Sequence, residues 1–246
     1  MIKNRKYFNL WPVNAFLCTF DSMERKIAKT ISGTYSYWML MPLVAVFLYF
    51  YWLMLKLTLD YIPYNTTAAF LMIKQTEVTT LPEYRYLFYA HVYTSIFVLF
   101  FGFIQFFTFG SLWGKKLHRI SGYAYVFLLL AFAAPSGLYM GVHANGGWPS
   151  KLSFVLLGLL WWGTTCVAMN KIKSRDYAGH RAWMLRSLAL CFSAVTLRLW
   201  KVGLVMAFHL PPMDVYKIIA WLGWVPNLII AELIIRYIYK PIYNQS

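Results

Sequence analysis

Long apolar runs alternate with short polar stretches along this chain, and the runs have membrane length. Six of them, at about 37–57, 85–107, 120–140, 152–169, 182–208 and 218–239, hold few charges. As helices rising 1.5 Å per residue, segments of about twenty residues cross the ~30 Å hydrocarbon core, where backbone groups find partners only within a helix or a closed barrel. The pattern therefore predicts an all-α fold, a polytopic membrane protein built as a bundle of six transmembrane helices over 37–240. Residues 1–36 read as a retained cytoplasmic segment lying at the interface. Pro135 and Gly137 in the third run and Pro226 in the sixth predict kinks or unwound turns.

The fifth run differs from a plain membrane anchor. Residues 179–209 read GHRAWMLRSLALCFSAVTLRLWKVGLVMAFH, an apolar helix pattern broken by cations. As one straight helix it covers a bilayer with its interfaces and puts Arg198 about 6 Å from the midplane. On a 3.6-residue wheel His180, Ser187, Cys191, Arg198 and His209 share one meridian, so this stripe is expected to face protein.

Composition supports the same class: of 246 residues 60% are hydrophobic and 13% charged, against about 25% charged in soluble domains. The net charge of +15 falls largely in segments that the positive-inside rule leaves in the cytoplasm. These are Lys3, Arg5, Lys6, Arg25, Lys26 and Lys29 before the first run, Lys115, Lys116 and Arg119 before the third, and Lys171, Lys173, Arg175 and Arg181 before the fifth. Both termini are then cytoplasmic, 58–82 is an outer loop, and the location is the cell inner membrane. The bilayer accounts for the charge without nucleic acid as a partner. Cys18, Cys166 and Cys191 form no CxxC and read as small apolar residues.

Two blocks are specific enough to carry a resemblance: HRISGYAYVFLLLAFAAPSGLYMGVHANGG at 118–147 and HRAWMLRSLALCFSAVTLRLW at 180–200. Together with His91 they resemble a widespread bacterial family of uncharacterised predicted membrane proteins, built on HRxxGxxY followed by HRxWMxRSxALxxxAVTLR. The resemblance spans roughly 85–206. It implies a helical membrane fold and gives weight to these positions, but the family is a domain of unknown function and implies no activity.

The histidines carry the main chemical signal. Placed by span midpoints, His118 and His180 lie at the inner face, His91 about 9 Å outward of the midplane, and His143 and His209 near the outer face. His118 and His180 each open a helix of the same direction, so an inner pair is geometrically possible. His118, Tyr125, Ser136 and His143 share a meridian of the third helix if Pro135 does not rotate it. Facing imidazoles can hold the iron of haem b, with Arg181 or Arg198 on the propionates, and the same groups could meet a quinone. The ~37 Å of ideal helix between His118 and His143 departs from the closer ligand spacing of two-haem transmembrane cytochromes b. The alternative for His118 and His180 is a basic interfacial turn at the headgroups. His91, buried beside Thr94 and Ser95, reads as functional.

A second arrangement brings His91, His143 and His209 together at the outer end around zinc or copper. No HExxH, paired carboxylate, phosphate loop, GxSxG or Rossmann glycine pattern accompanies them, which argues against metal-assisted hydrolysis, serine hydrolysis and ATP-driven transport. Glu232 is the one acid deep in a run and lies about a helical turn in depth from Arg186, so the two are expected to form an ion pair. Arg198 is left without a carboxylate at its own depth, and His91 and Lys201 lie near it. Two classes of function follow: a membrane redox protein with haem b or quinone and a redox partner, or a binding, transport or accessory protein with a polar pocket for a small anionic ligand.

Overall fold

The computed structural model describes residues 37–62, 69–107, 112–208 and 211–239, and every regular element among them is helical. Helix α1 is Tyr37–Leu59. Two short helices, α2 (Ala69–Met72) and α3 (Gln75–Thr80), follow before α4 (Pro82–Phe107). Helix α5 (Leu112–Leu128) runs through a π-helical turn, Leu129–Ala133, into α6 (Ala134–Val142). Then come α7 (Trp148–Lys173), α8 (Tyr177–Cys191), α9 (Ser193–Phe208), α10 (Pro212–Leu222), α11 (Val225–Ile234) and a last π turn, Ile235–Tyr239.

Four helical stretches are long and apolar enough to cross a membrane: Pro82–Gln105, Gly114–Val142, Trp148–Lys173 and Met213–Tyr237. The pair α8 and α9 passes the same criterion only if taken as one span bent by 40°. In α1, which contains Pro42, the apolar helix Val44–Leu59 is shorter than these. The described chain thus has four such helices, or five with the bent pair.

Packing follows membrane logic. Large apolar side chains such as Phe97, Phe127, Leu159, Met206 and Ile230 face outward, while Ser121, Ser136, Ser153, Thr165 and Ser187 are buried between helices. In lipid the outward face costs nothing, and small or hydroxylated residues let backbones approach and hydrogen-bond across the interface. Gly158 of α7 shows the constraint, because a Cβ there would sit 2.7 Å from Leu138 Cδ2 of α6. Helix α7 packs against α6, α8 and α10, α4 packs against α5 and α6, and α11 returns against α8.

A second, aromatic cluster of Tyr61, Leu71, Val78, Tyr84, Phe88 and Tyr89 ties α2 and α3 over one end of the bundle. Lys74, 1% exposed, anchors this cap: its Nζ donates to Glu77 Oε1 at 2.5 Å and to the backbone oxygen of His143. The opposite end carries Lys115, Lys116, Arg119, Lys171 and Lys173 and is termed the basic end.

Three expectations change. The segment expected as an inner loop before the third run is helical from Leu112, so His118 lies well inside α5 instead of opening a helix. The expected outer loop contains α2 and α3. The straight fifth helix is interrupted at Phe192, and the 40° bend breaks the meridian drawn from His180 to Arg198. Residues 1–36, and with them the expected interfacial segment, lie outside the described residues, as does His209.

Candidate functional site: a polar-walled cavity near the capped end

A register change in the third span creates the site's polar wall. At the π turn the Ala134 N–H reaches Leu129 O, and the N–H that would continue this register to Leu130 O belongs to Pro135, which has none. Side chains from neighbouring helices reach carbonyls of this turn. Trp162 Nε1 donates to Leu130 O at 3.3 Å, and His91 Nδ1 donates to Ala133 O at 2.8 Å. Ser136 Oγ donates to Phe132 O at 2.5 Å and lies 3.5 Å from His91 Nδ1. Gly137 makes room for the imidazole, since a Cβ there would stand 2.9 Å from His91 Cε1. A carbonyl can only accept, so Nδ1 carries the proton of the neutral ring and Nε2 keeps its lone pair. Ser95 Oγ approaches Nε2 at 3.4 Å, a long contact.

Beside this imidazole is a cavity of about 240 Å³. His91 and Ser95 of α4, Gly137 of α6, Trp161 of α7, Cys191 of α8, and Ser193, Ala194 and Arg198 of α9 line it, with Phe70 and Tyr216 toward the capped end. The break at Phe192 thus places the start of a half-helix, the positive end of its dipole, on the cavity wall. Arg198 Nη1 donates to Ala194 O at 2.6 Å, which uses one of the guanidinium's five N–H donors. His91 and Arg198 lie within Coulombic reach of one another. No Asp or Glu lines the cavity. Lys201 is exposed and takes no part in the lining.

Between the cavity and the basic end the bundle is closed by hydroxyls bonded to one another. Tyr125 Oη and Ser187 Oγ are 2.8 Å apart, Ser187 Oγ and Thr165 Oγ1 2.7 Å, and Trp161 Nε1 donates to Tyr125 Oη at 3.3 Å. Tyr125, Thr165 and Ser187 are fully buried. Tyr125 ends the HRxxGxxY block and Ser187 of α8 lies in the HRxWMxRSxAL block on the stripe expected to face protein, so both were signalled; Thr165 of α7 had no comparable signal.

The remaining expected site residues are distributed as follows. His118 lies within Coulombic reach of His180 and Arg181, all three half-buried at the basic end. His180 Nδ1 donates to Ala168 O at 2.8 Å, and His118 O accepts from Gln105 Nε2 at 2.7 Å. His143 Nδ1 donates to Tyr139 O at 3.0 Å; its ring is 4.8 Å from that of Tyr139 and 6.0 Å from that of Tyr84. It does not line the cavity with His91, and among the described residues no group of three His, Cys, Asp or Glu could hold a metal ion. Arg186 and Glu232 form a two-pronged pair, Nε to Oε1 at 2.5 Å and Nη2 to Oε2 at 2.9 Å, with Arg186 Cζ 4.5 Å above the Trp183 ring.

Apolar spans with an outward lipid face, small and hydroxylated residues inside, and a closed polar floor beneath a cavity define an integral, multi-pass helical membrane protein. Residues 88–235 match the family described as Predicted membrane protein (DUF2306), and the chain belongs to that family. No curated protein and no solved structure matches it.

Proposed function

We propose that this protein binds a small anionic ligand in the cavity beside His91 and Arg198, acting as a binding, transport or accessory protein of the inner membrane. The single observation that carries this reading is the charge balance of the lining, with Arg198 present and no carboxylate. A guanidinium in a low-dielectric span attracts an anion, and its planar fork suits the paired oxygens of a carboxylate. In the same reading α1 and the bent α8–α9 pair complete six spans, both termini are cytoplasmic, and the cavity opens toward the outer face under its cap. Cysteine introduced at Thr79 is then labelled from outside and cysteine at Lys173 is not.

The reading is tested by titrating benzoate into protein in lipid nanodiscs and following binding by isothermal titration calorimetry. Arg198→Lys keeps the charge but loses the fork, and is expected to weaken binding about tenfold, roughly 1.4 kcal/mol, with thermal stability retained. Unchanged affinity in this variant removes the anion reading.

A redox reading draws on the basic end. The bond from His180 Nδ1 to Ala168 O is the kind that orients an imidazole whose Nε2 is directed at a metal. His118 could supply the opposite imidazole, with Arg181 for a haem propionate. A Soret band that sharpens on dithionite reduction and disappears in His118→Ala or His180→Ala is the expected sign of haem b. A colourless, folded, haem-free preparation eliminates this reading. A quinone would instead use the cavity, with a carbonyl oxygen on Arg198.

A further inference from the structure

The hydrogen-bonding roles at the cavity constrain its ligand beyond charge. His91 is an acceptor toward the cavity, because Ala133 O occupies Nδ1 at 2.8 Å and leaves Nε2 with its lone pair in the neutral ring. Arg198 is only ever a donor. The two are within Coulombic reach on one cavity, so a ligand that spans them meets one group needing a proton to accept and another needing oxygens to donate to. A simple carboxylate answers Arg198 and leaves Nε2 with the 3.4 Å contact to Ser95 Oγ. A molecule with both a carboxylate and a hydroxyl answers both.

The rest of the lining sets size and body. Phe154, Leu157, Trp161 and Leu190 give apolar walls, two of these residues being aromatic. The cavity of about 240 Å³ is larger than the roughly 150 Å³ apolar cavity that takes up benzene, which leaves room for a single ring with short substituents. We propose that the cavity is selective for hydroxylated single-ring carboxylates, the carboxylate held by Arg198 and the hydroxyl donating to His91 Nε2. This rests on the anion-binding reading above and specifies the ligand class.

The test compares ligands on the unaltered protein, so it does not depend on a variant folding. Benzoate, the three hydroxybenzoate isomers and the matching methoxybenzoates are titrated in nanodiscs by isothermal titration calorimetry. The expected result is one hydroxybenzoate isomer binding about tenfold more tightly than benzoate, with the gain lost in its methoxy counterpart, which keeps the oxygen and removes the donor. In His91→Gln, a variant whose folding is checked by thermal melting, the preference for that isomer over benzoate is expected to fall below threefold. Equal binding of benzoate and all three hydroxybenzoates overturns the hydroxyl assignment and leaves the anion reading standing, as does a methoxybenzoate matching its hydroxy parent. Failure of every one of these acids to bind overturns both.

Discussion

Two polar clusters between the helices of this bundle are built in opposite ways. Around Tyr125, Ser187 and Thr165 each hydroxyl is bonded to another side chain at 2.7–2.8 Å, and all three residues are fully buried. At His91 the side chain is fixed on one side by a backbone carbonyl and borders a cavity. Polar groups that satisfy each other close a bundle. Polar groups held by the backbone keep hydrogen-bonding capacity for something else, and this difference separates a structural network from a candidate site.

Substitutions can break the two clusters independently. The largest stability effect is expected from Tyr125→Phe, which removes the hydroxyl shared by Ser187 and Trp161 and leaves buried groups short of a partner. The expected loss is about 2 kcal/mol in denaturant unfolding in micelles, with benzoate affinity within twofold of the parent. A loss of affinity equal to that at Arg198 would show that the network and the cavity act as one unit.

Gly137→Ala should do the reverse. Its Cβ would meet the His91 ring at 2.9 Å, so the imidazole must shift out of its bond to Ala133. The expected outcome is a severalfold loss of binding with a stability change near 1 kcal/mol. A larger destabilisation with intact binding would move His91 into the structural class.

The smallest effect is expected at the basic end, remote from both clusters. Asp176 caps α8 by accepting from the Gly179 N–H at 2.8 Å and also pairs with Lys171 at 3.0 Å. The cap bond first, then Lys171, holds its carboxyl below the ordinary aspartate range. A folded-state value lower than the unfolded one means the stabilisation is complete above that range and is lost as pH falls through the folded value. Asp176→Ala should therefore cost about 1 kcal/mol at neutral pH, and the difference from the parent should shrink in melts at low pH. A difference that persists at low pH would argue against the cap.

Much of this architecture was legible in the sequence because hydropathy and helix length act locally. The runs at 85–107 and 152–169 lie within α4 and α7. Depth arithmetic led from Arg186 to Glu232 because both lie in spans whose length fixes position. It also put His91 and Arg198 in the same half of the bundle, where they share the cavity. Helix breaks were read less well. Phe192 has neither Pro nor Gly beside it, so nothing in its neighbourhood announced the bend, and a straight wheel joined residues that lie on two half-helices. Pro135 did announce an irregularity, but the π turn lies before it, at Leu129–Ala133. Lys74, in the stretch expected as an outer loop, is buried because its partners, Glu77 and the backbone of His143, come together only in the tertiary fold.

The π turn has one more consequence, which concerns the length of the span. Widening one turn of helix accommodates about one residue beyond the α-helical register and rotates all that follows by roughly 100°. Tyr125 before the turn and Ser136 after it therefore obey two different registers of one span. Deleting a single residue within Leu129–Ala133 would let the span run as regular α-helix up to Pro135 and leave Gly137 facing His91, whereas a deletion in a regular stretch of the span would rotate all that follows. The extra residue is in this sense an insertion that the turn absorbs, so a single-residue deletion should be better tolerated within Leu129–Ala133 than in the regular helix on either side.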